Sequence, residues 1–350
     1  MPPAWVRRLV FGPLVIVLAV VLVTTLPIWL IIGVALSPFM PGHLRVPRLI
    51  WLAIVYLVWD AAALVALAAL WVASGFGWKI RSPAFQRAHY VLTGHFLRVL
   101  FWIARWSLHL TVDVVGTDPD TALPGRPEIV VSRHAGPGDS FILIHALVNW
   151  FAREPRIVLK ATLQWDPAVD VLLNRLPNRF ISPGHTGTRS LEQEIHELAT
   201  GLDDNDAFVI FPEGGNFTPG RRVRAIARLH DRGLRDLASR AENLRHVLPP
   251  KPGGLLKAID AAPDAGVIFV AHTGLDRMLT VADVWRELPM DKQLVMRFWS
   301  VPPEEVPADE EARIAWLYDW WARIDAWIEE HRPVSHPLST DWTARRKVSA

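Results

Sequence analysis

Charged residues are absent from Leu9 to Met40, and a second apolar run, Leu49 to Phe76, is interrupted only by Asp60. A helix crossing a bilayer needs about 20 apolar residues, so both runs are long enough. The pattern predicts helices over about 9–37 and 49–76, joined by the turn PGHLRVPR, as an N-terminal two-helix membrane hairpin within residues 1–78. Arg7 and Arg8 in front of the first run also fit a signal peptide. The apolar region of such a peptide is only about 7–15 residues long, however, and no second run is expected behind it. Arg7 and Arg8 before the hairpin, with Lys79, Arg81 and Arg87 after it, favour both ends on the cytoplasmic side. Arg45 and Arg48 in the turn weaken that asymmetry and leave room for a shallow hairpin that does not cross. An acid within such a run is costly, so Asp60 reads as a polar contact to a neighbouring helix, an interfacial position or a functional group.

The next stretch, 79–110, changes period. His95, Arg98, Arg105 and His109 recur at helical spacing, with Leu97, Leu100, Phe101 and Ile103 on the other faces. This predicts an amphipathic helix, and Trp102 and Trp106 place it in the headgroup layer rather than in a core. After Leu110 short β-branched runs alternate with helical ones. Strands are expected at 110–115, 128–132, 156–160, 179–182, 207–211, 266–271 and 293–301. Helices are expected near 139–152, 166–176, 187–202, 222–244, 253–262 and 308–331. That alternation predicts an α/β domain over 111–333, a mixed sheet flanked by helices. The polar tail, 334–350, carries no such pattern.

Composition agrees with a membrane component: 51% of residues are hydrophobic, 21% are charged, and the mean hydropathy is +0.21. A net charge of +2 provides no basic field for nucleic acid. With no cysteine, a disulfide scaffold, a thiolate nucleophile and a Cys-ligated metal are all excluded.

Two segments carry candidate chemistry. In SRHAGPGDS, His134 and Asp139 stand five residues apart. With 13 histidines among 350 residues, roughly one His-x4-Asp pair arises by chance. The chain indeed holds a second, His336 and Asp341. Context separates them: His134 follows a predicted strand, sits in a loop of small residues, and precedes a predicted helix. Catalytic groups of α/β sheets collect at such strand ends, and Asp139 in a first turn can both cap the helix and accept from the imidazole. The second segment, AFVIFPEGGNF, ends an apolar strand in Pro-Glu-Gly-Gly. This presents Glu213 and flexible backbone N–H groups, or simply makes a turn with a solvated charge.

Together, His134/Asp139 and Phe211-Pro212-Glu213-Gly214 resemble the two signature motifs of the glycerol-3-phosphate and lysophosphatidate acyltransferase family, in the same order and at a similar separation. RIVLKATLQWDP, with Lys160, and RFIS at 179–182 resemble the blocks between them. The resemblance implies acyl transfer from acyl-CoA or acyl-carrier protein to a lysophospholipid hydroxyl at a bilayer, with no bound cofactor and no metal. His134 would be the general base, Asp139 its orienting partner, and Glu213, Gly214, Gly215, Asn216, Lys160 and Arg179 the substrate-binding residues. Histidine, with an ordinary pKa of about 6.5, suits base catalysis near neutrality. Two departures stand out. Ser182-Pro183 replaces the family's Asp-Arg, and Gly215-Asn216 replaces its Thr-Arg, with Arg179, Arg189, Arg221 and Arg222 as candidate substitutes. This is similar to the branch acylating lysophosphatidylinositol and lysocardiolipin, and losing a guanidinium fork disfavours a doubly charged phosphomonoester. A serine hydrolase would need a Gly-x-Ser-x-Gly elbow, which the chain lacks. A non-catalytic membrane scaffold of the same fold would have no need to retain both His134 and Asp139.

Overall fold

The computed structural model describes residues 1–40, 44–116, 118–181, 190–276 and 292–332, without the side chains of residues 108, 120, 137 and 139. The tail, including His336 and Asp341, lies outside the described residues, as do Ser182-Pro183 and Arg189.

The N-terminal run forms two helices rather than one, α1 (Ala4–Thr24) and α2 (Leu26–Leu36). Pro27, just inside α2, has no N–H to continue the ladder from α1. Pro13 acts similarly nearer the start, where Arg7–Phe11 widens into a π-turn. The second run is α3 (Arg45–Ala73), and it packs antiparallel on both: Gly12 lies against Leu64, and Gly33 against Pro47 and Ile50. By length and composition α1 and α3 are each able to cross a membrane. The amphipathic stretch is α4 (Pro83–Leu108), which buries Tyr90 and Leu97 and leaves Trp102 and Trp106 about two-thirds exposed.

Seven strands follow: β1 (Thr111–Val115), β2 (Glu128–Ser132), β3 (Glu154–Lys160), β4 (Arg179–Ile181), β5 (Asp206–Ile210), β6 (Gly266–Thr273) and β7 (Gln293–Val301). Their order is β1-β7-β6-β2-β5-β3-β4. Strands β6, β2, β5, β3 and β4 run parallel, whereas β7 is antiparallel to β6 and parallel to β1. The expected mixed α/β sheet is present.

Every residue of β2, β5 and β6 is buried, because helices cover both sheet faces. Alternation then sorts the side chains. Ile129, Val131, Phe208, Ile210, Val267 and Phe269 face one core, with Ile195, Leu255, Leu317 and Trp321. Val130, Val209, Ile268 and Val270 face the other, with Ile142, Leu143 and Leu147. The covering helices are α5 (Pro137–Asn149), α6 (Pro167–Arg175), α7 (Leu191–Ala199), α8 (Pro219–Asp231), α9 (Arg235–Glu242), α10 (Pro252–Ala261) and α11 (Glu310–His331). The single helix expected over 222–244 is two, α8 and α9. Gly233 between them takes φ +74°, a left-handed stop that a side chain would resist.

Candidate active site at the edge of the sheet

Because β2, β5, β3 and β6 are parallel, the loops after them leave the sheet at one edge. His134 follows β2 there, two residues past Ser132. Arg133 between them turns inward and is 1% exposed. Its guanidinium donates to His272 O at 2.7 Å, to Asp276 Oδ1 at 2.5 Å and to His246 O at 3.4 Å. One side chain thereby joins the loop after β2 to the loop after β6 and to the segment before α10.

The backbone of His134 is held from both sides. Its N–H donates to Glu213 Oε1 at 3.1 Å, and its carbonyl accepts from Phe217 N at 2.8 Å. The half-buried imidazole lies on Phe211, with ring centroids 4.8 Å apart. Asp139 occupies the first turn of α5; its side chain lies outside the described part. Gly138 beside it faces open space.

Glu213 is only 3% exposed, so the reading of a solvated turn charge is set aside. While Oε1 takes the His134 N–H, Oε2 takes the Leu248 N–H at 3.0 Å. The carboxylate is thus directed at the backbone of two separate segments. Gly214 sits at φ +65° and donates its N–H to Phe211 O at 3.0 Å. A Cβ there would stand 2.8 Å from Lys251 Nζ, so the ammonium occupies the space that a side chain would fill. Burial, reinforced by Arg228 and Arg232, lowers the Lys251 pKa from its ordinary range. Asn216 places its side-chain oxygen in a buried position with no protein partner among the described residues, and its carbonyl accepts from Arg221 at 2.9 Å.

His134, Glu213, Gly214, Gly215 and Asn216 therefore form one cluster. Lys160 ends β3 at the same edge, two strands away, or about 10 Å at the usual strand spacing. Arg179 stands apart: it opens β4 opposite Val158, two residues short of Lys160, and its guanidinium lies 3.9 Å from Glu197 on α7. Arg222 is engaged by the carbonyls of Leu244 and Glu242. Only Arg221 of the substitutes at 221–222 borders the loop, 3.4 Å from where a Gly215 Cβ would stand.

Arg133 and Lys251 are neighbours of the site that motif reading passed over. Their signals were weak: Arg133 is the residue before His134, and Lys251 is a lysine flanked by prolines.

Asp276 has a definite electrostatic character. Burial disfavours its charge, but the Arg133 guanidinium, the Gly274 N–H, His272 and the Thr273 hydroxyl outweigh that cost and hold the carboxyl down at about 2. An acid whose pKa is lower folded than unfolded stabilises the fold above its unfolded value of about 3.9, and that stability is lost as pH falls through the folded value. Asp276→Asn is expected to melt below the parent at pH 7, with the gap closing as pH is lowered from about 4 toward 2. Thermal melts across that range check it, and a gap independent of pH would refute it.

A family model described as Acyltransferase matches residues 113–295, which run from β1 into β7 and contain both the His134 and the Glu213 loops. No curated protein matches the chain. Among solved structures, the 1-acyl-sn-glycerophosphate (LPA) acyltransferase PlsC from Thermotoga maritima is similar, at 17% identity and TM-score 0.47 over 79% of this chain and 98% of that one. With more than half its length matched by that model, the chain belongs to the Acyltransferase family.

Proposed function

We propose that the chain is an integral membrane O-acyltransferase that moves a fatty acyl chain from acyl-CoA or acyl-carrier protein to the hydroxyl of a lysophospholipid. The observation carrying this reading is the placement of His134. Its backbone is fixed by Glu213 and Phe217, and its imidazole stands at a strand end beside a helix N-terminus.

In this mechanism the imidazole takes the hydroxyl proton as the oxygen attacks the thioester carbonyl, and Asp139 orients the ring. The tetrahedral intermediate collapses by breaking the carbon–sulfur bond, and the imidazolium returns the proton to the leaving thiolate. No covalent enzyme intermediate forms. The oxyanion needs N–H donors. The Gly214 N–H is committed to Phe211, which leaves the N–H groups of Gly215 and Gly138 as the candidate donors. Asn216, with its buried side-chain oxygen open, fits a glycerol or headgroup hydroxyl, and Lys160 and Arg221 fit the phosphate.

The acceptor favoured is a lysophospholipid diester. Gly215-Asn216 occupies the place where the related motif carries an arginine, and Arg179 and Arg222 are engaged elsewhere. Lysophosphatidate, giving phosphatidate, is the competing acceptor. The catalytic edge is assigned to the cytoplasmic side, supported by Arg7, Arg8, Lys79, Arg81 and Arg87 flanking the hairpin.

The test is acyl transfer by purified full-length protein to a panel of lysolipids. The reading expects one or more diesters to be turned over faster than lysophosphatidate. Preference for lysophosphatidate over every diester would overturn the acceptor assignment, and no transfer to any lysolipid would overturn the activity.

A further inference from the structure

Helix α6 leaves β3 at the catalytic edge, after the 3-10 stretch Ala161–Trp165. It meets all three long N-terminal helices through polar groups. Asp170 is fully buried, and its oxygens accept from Arg7 at 2.8 Å and from Arg8 Nε at 2.9 Å, both on α1. Asn174 donates to the same carboxylate at 3.1 Å. Asp166 caps α6 through Val169 N at 2.9 Å, accepts from the Tyr56 hydroxyl of α3, and contacts the buried Asp60. Arg175 donates to Leu67 O of α3 at 2.8 Å and lies 3.3 Å from His89 Nε2 of α4. Apolar contact surrounds the network, with Ala63 and Leu67 of α3 packed on Ala168, and Leu92 and Phe96 of α4 closing around them.

Apolar packing alone would hold helices together but permit sliding. A buried carboxylate shared by two guanidiniums tolerates neither a register shift nor solvation without loss of its pairing. Asp60 also gains an account: the acid in the second apolar run touches the catalytic domain. The dock joins α6, on the edge that carries His134, to helices whose far ends are exposed and apolar.

We infer that Asp170 is a positioning residue. With Arg7 and Arg8 it locks the apolar hairpin to the catalytic sheet as one body, and so sets the height of His134 above the bilayer, where a membrane-held acceptor presents its hydroxyl. This rests on the acyl-transfer reading above. The inference separates two kinds of acceptor. A long-chain lysolipid seated in a bilayer is held at fixed depth and feels any change in that height, whereas a short-chain lysolipid dispersed in water does not.

The experiment uses the full chain in phosphatidylcholine vesicles, assayed with both acceptors. A misplacement of about 1 Å is able to cost about 10²-fold, so Asp170→Asn is expected to lose about that much in kcat/KM on the vesicle-held acceptor. On the dispersed acceptor it is expected to stay within about twofold of the parent. If Asp170→Asn does not fold, the pair Arg7→Gln/Arg8→Gln tests the same contact from the other side, and Arg7→Lys/Arg8→Lys is expected to restore most of the vesicle activity. Equal loss on both acceptors by a folded variant, or loss on neither, overturns the positioning role. Failure of the parent on both acceptors refutes the acyl-transfer reading itself and this inference with it.

Discussion

His134→Ala is expected to turn over acyl thioester and lysolipid about 10²–10⁴-fold more slowly than the parent while melting almost unchanged. The rate effect follows from the reaction, since an alcohol attacks a thioester well only if its proton is taken as the bond forms. The small stability effect follows from where the residue is anchored. Its structural bonds run through the backbone, from its N–H to Glu213 and from Phe217 to its carbonyl, and alanine keeps both. Among the side-chain interactions that disappear is the ring contact with Phe211, worth about 0.5–1.5 kcal/mol for an aromatic pair. Circular dichroism and thermal melts read alongside turnover separate the two effects. A folded variant with near-normal turnover would remove His134 from the mechanism.

Glu213→Ala is expected to reduce stability and turnover together. Its two oxygens take backbone N–H groups of His134 and Leu248 at a site 3% exposed. Removing the carboxylate leaves both donors buried without that acceptor, at about 1–3 kcal/mol each. The His134 loop is then free to drift, and a shift of about 1 Å is able to cost about 10²-fold in rate. Glu213→Gln keeps one acceptor oxygen but turns an NH2 toward a donor, so it should fall between the parent and alanine. A substrate contact would behave differently: the acceptor KM would rise at unchanged melting temperature. That pattern would assign Glu213 to binding the acceptor rather than to holding the loop.

Particular residues show why some features could be read from the chain and others could not. Strands β2 and β7 were expected at 128–132 and 293–301 and occupy those residues. β-branched and aromatic side chains facing a packed layer on either side leave a signal within a few residues. The break between α8 and α9 was hidden because the polar pattern continues through Gly233, and one glycine in a helical stretch is often tolerated. The break in the long first run is hidden for a similar reason: Pro27 interrupts the backbone without altering the apolar texture. Arg133 looked like an ordinary cation beside a motif, and only its three partners, 113 to 143 residues away, reveal a buried rivet.

The pairing of a strand-end histidine with a distant Pro-Glu-Gly-Gly loop comes from resemblance to a known family; the sequence by itself determined the apolar hairpin and the alternating α/β texture. These depend on periodicity and residue type over short windows, where local physics acts directly. Only the tertiary structure decided that Glu213 faces the backbone of His134 and Leu248, that Arg179 lies away from the site, and that Asp170 holds Arg7 and Arg8 across 163 and 162 positions. Such contacts depend on strand order and on which loops share an edge. A charge reads the same in the chain whether it faces water or is buried against a partner far along it, and the order β6-β2-β5 brings the His134 and Glu213 loops together.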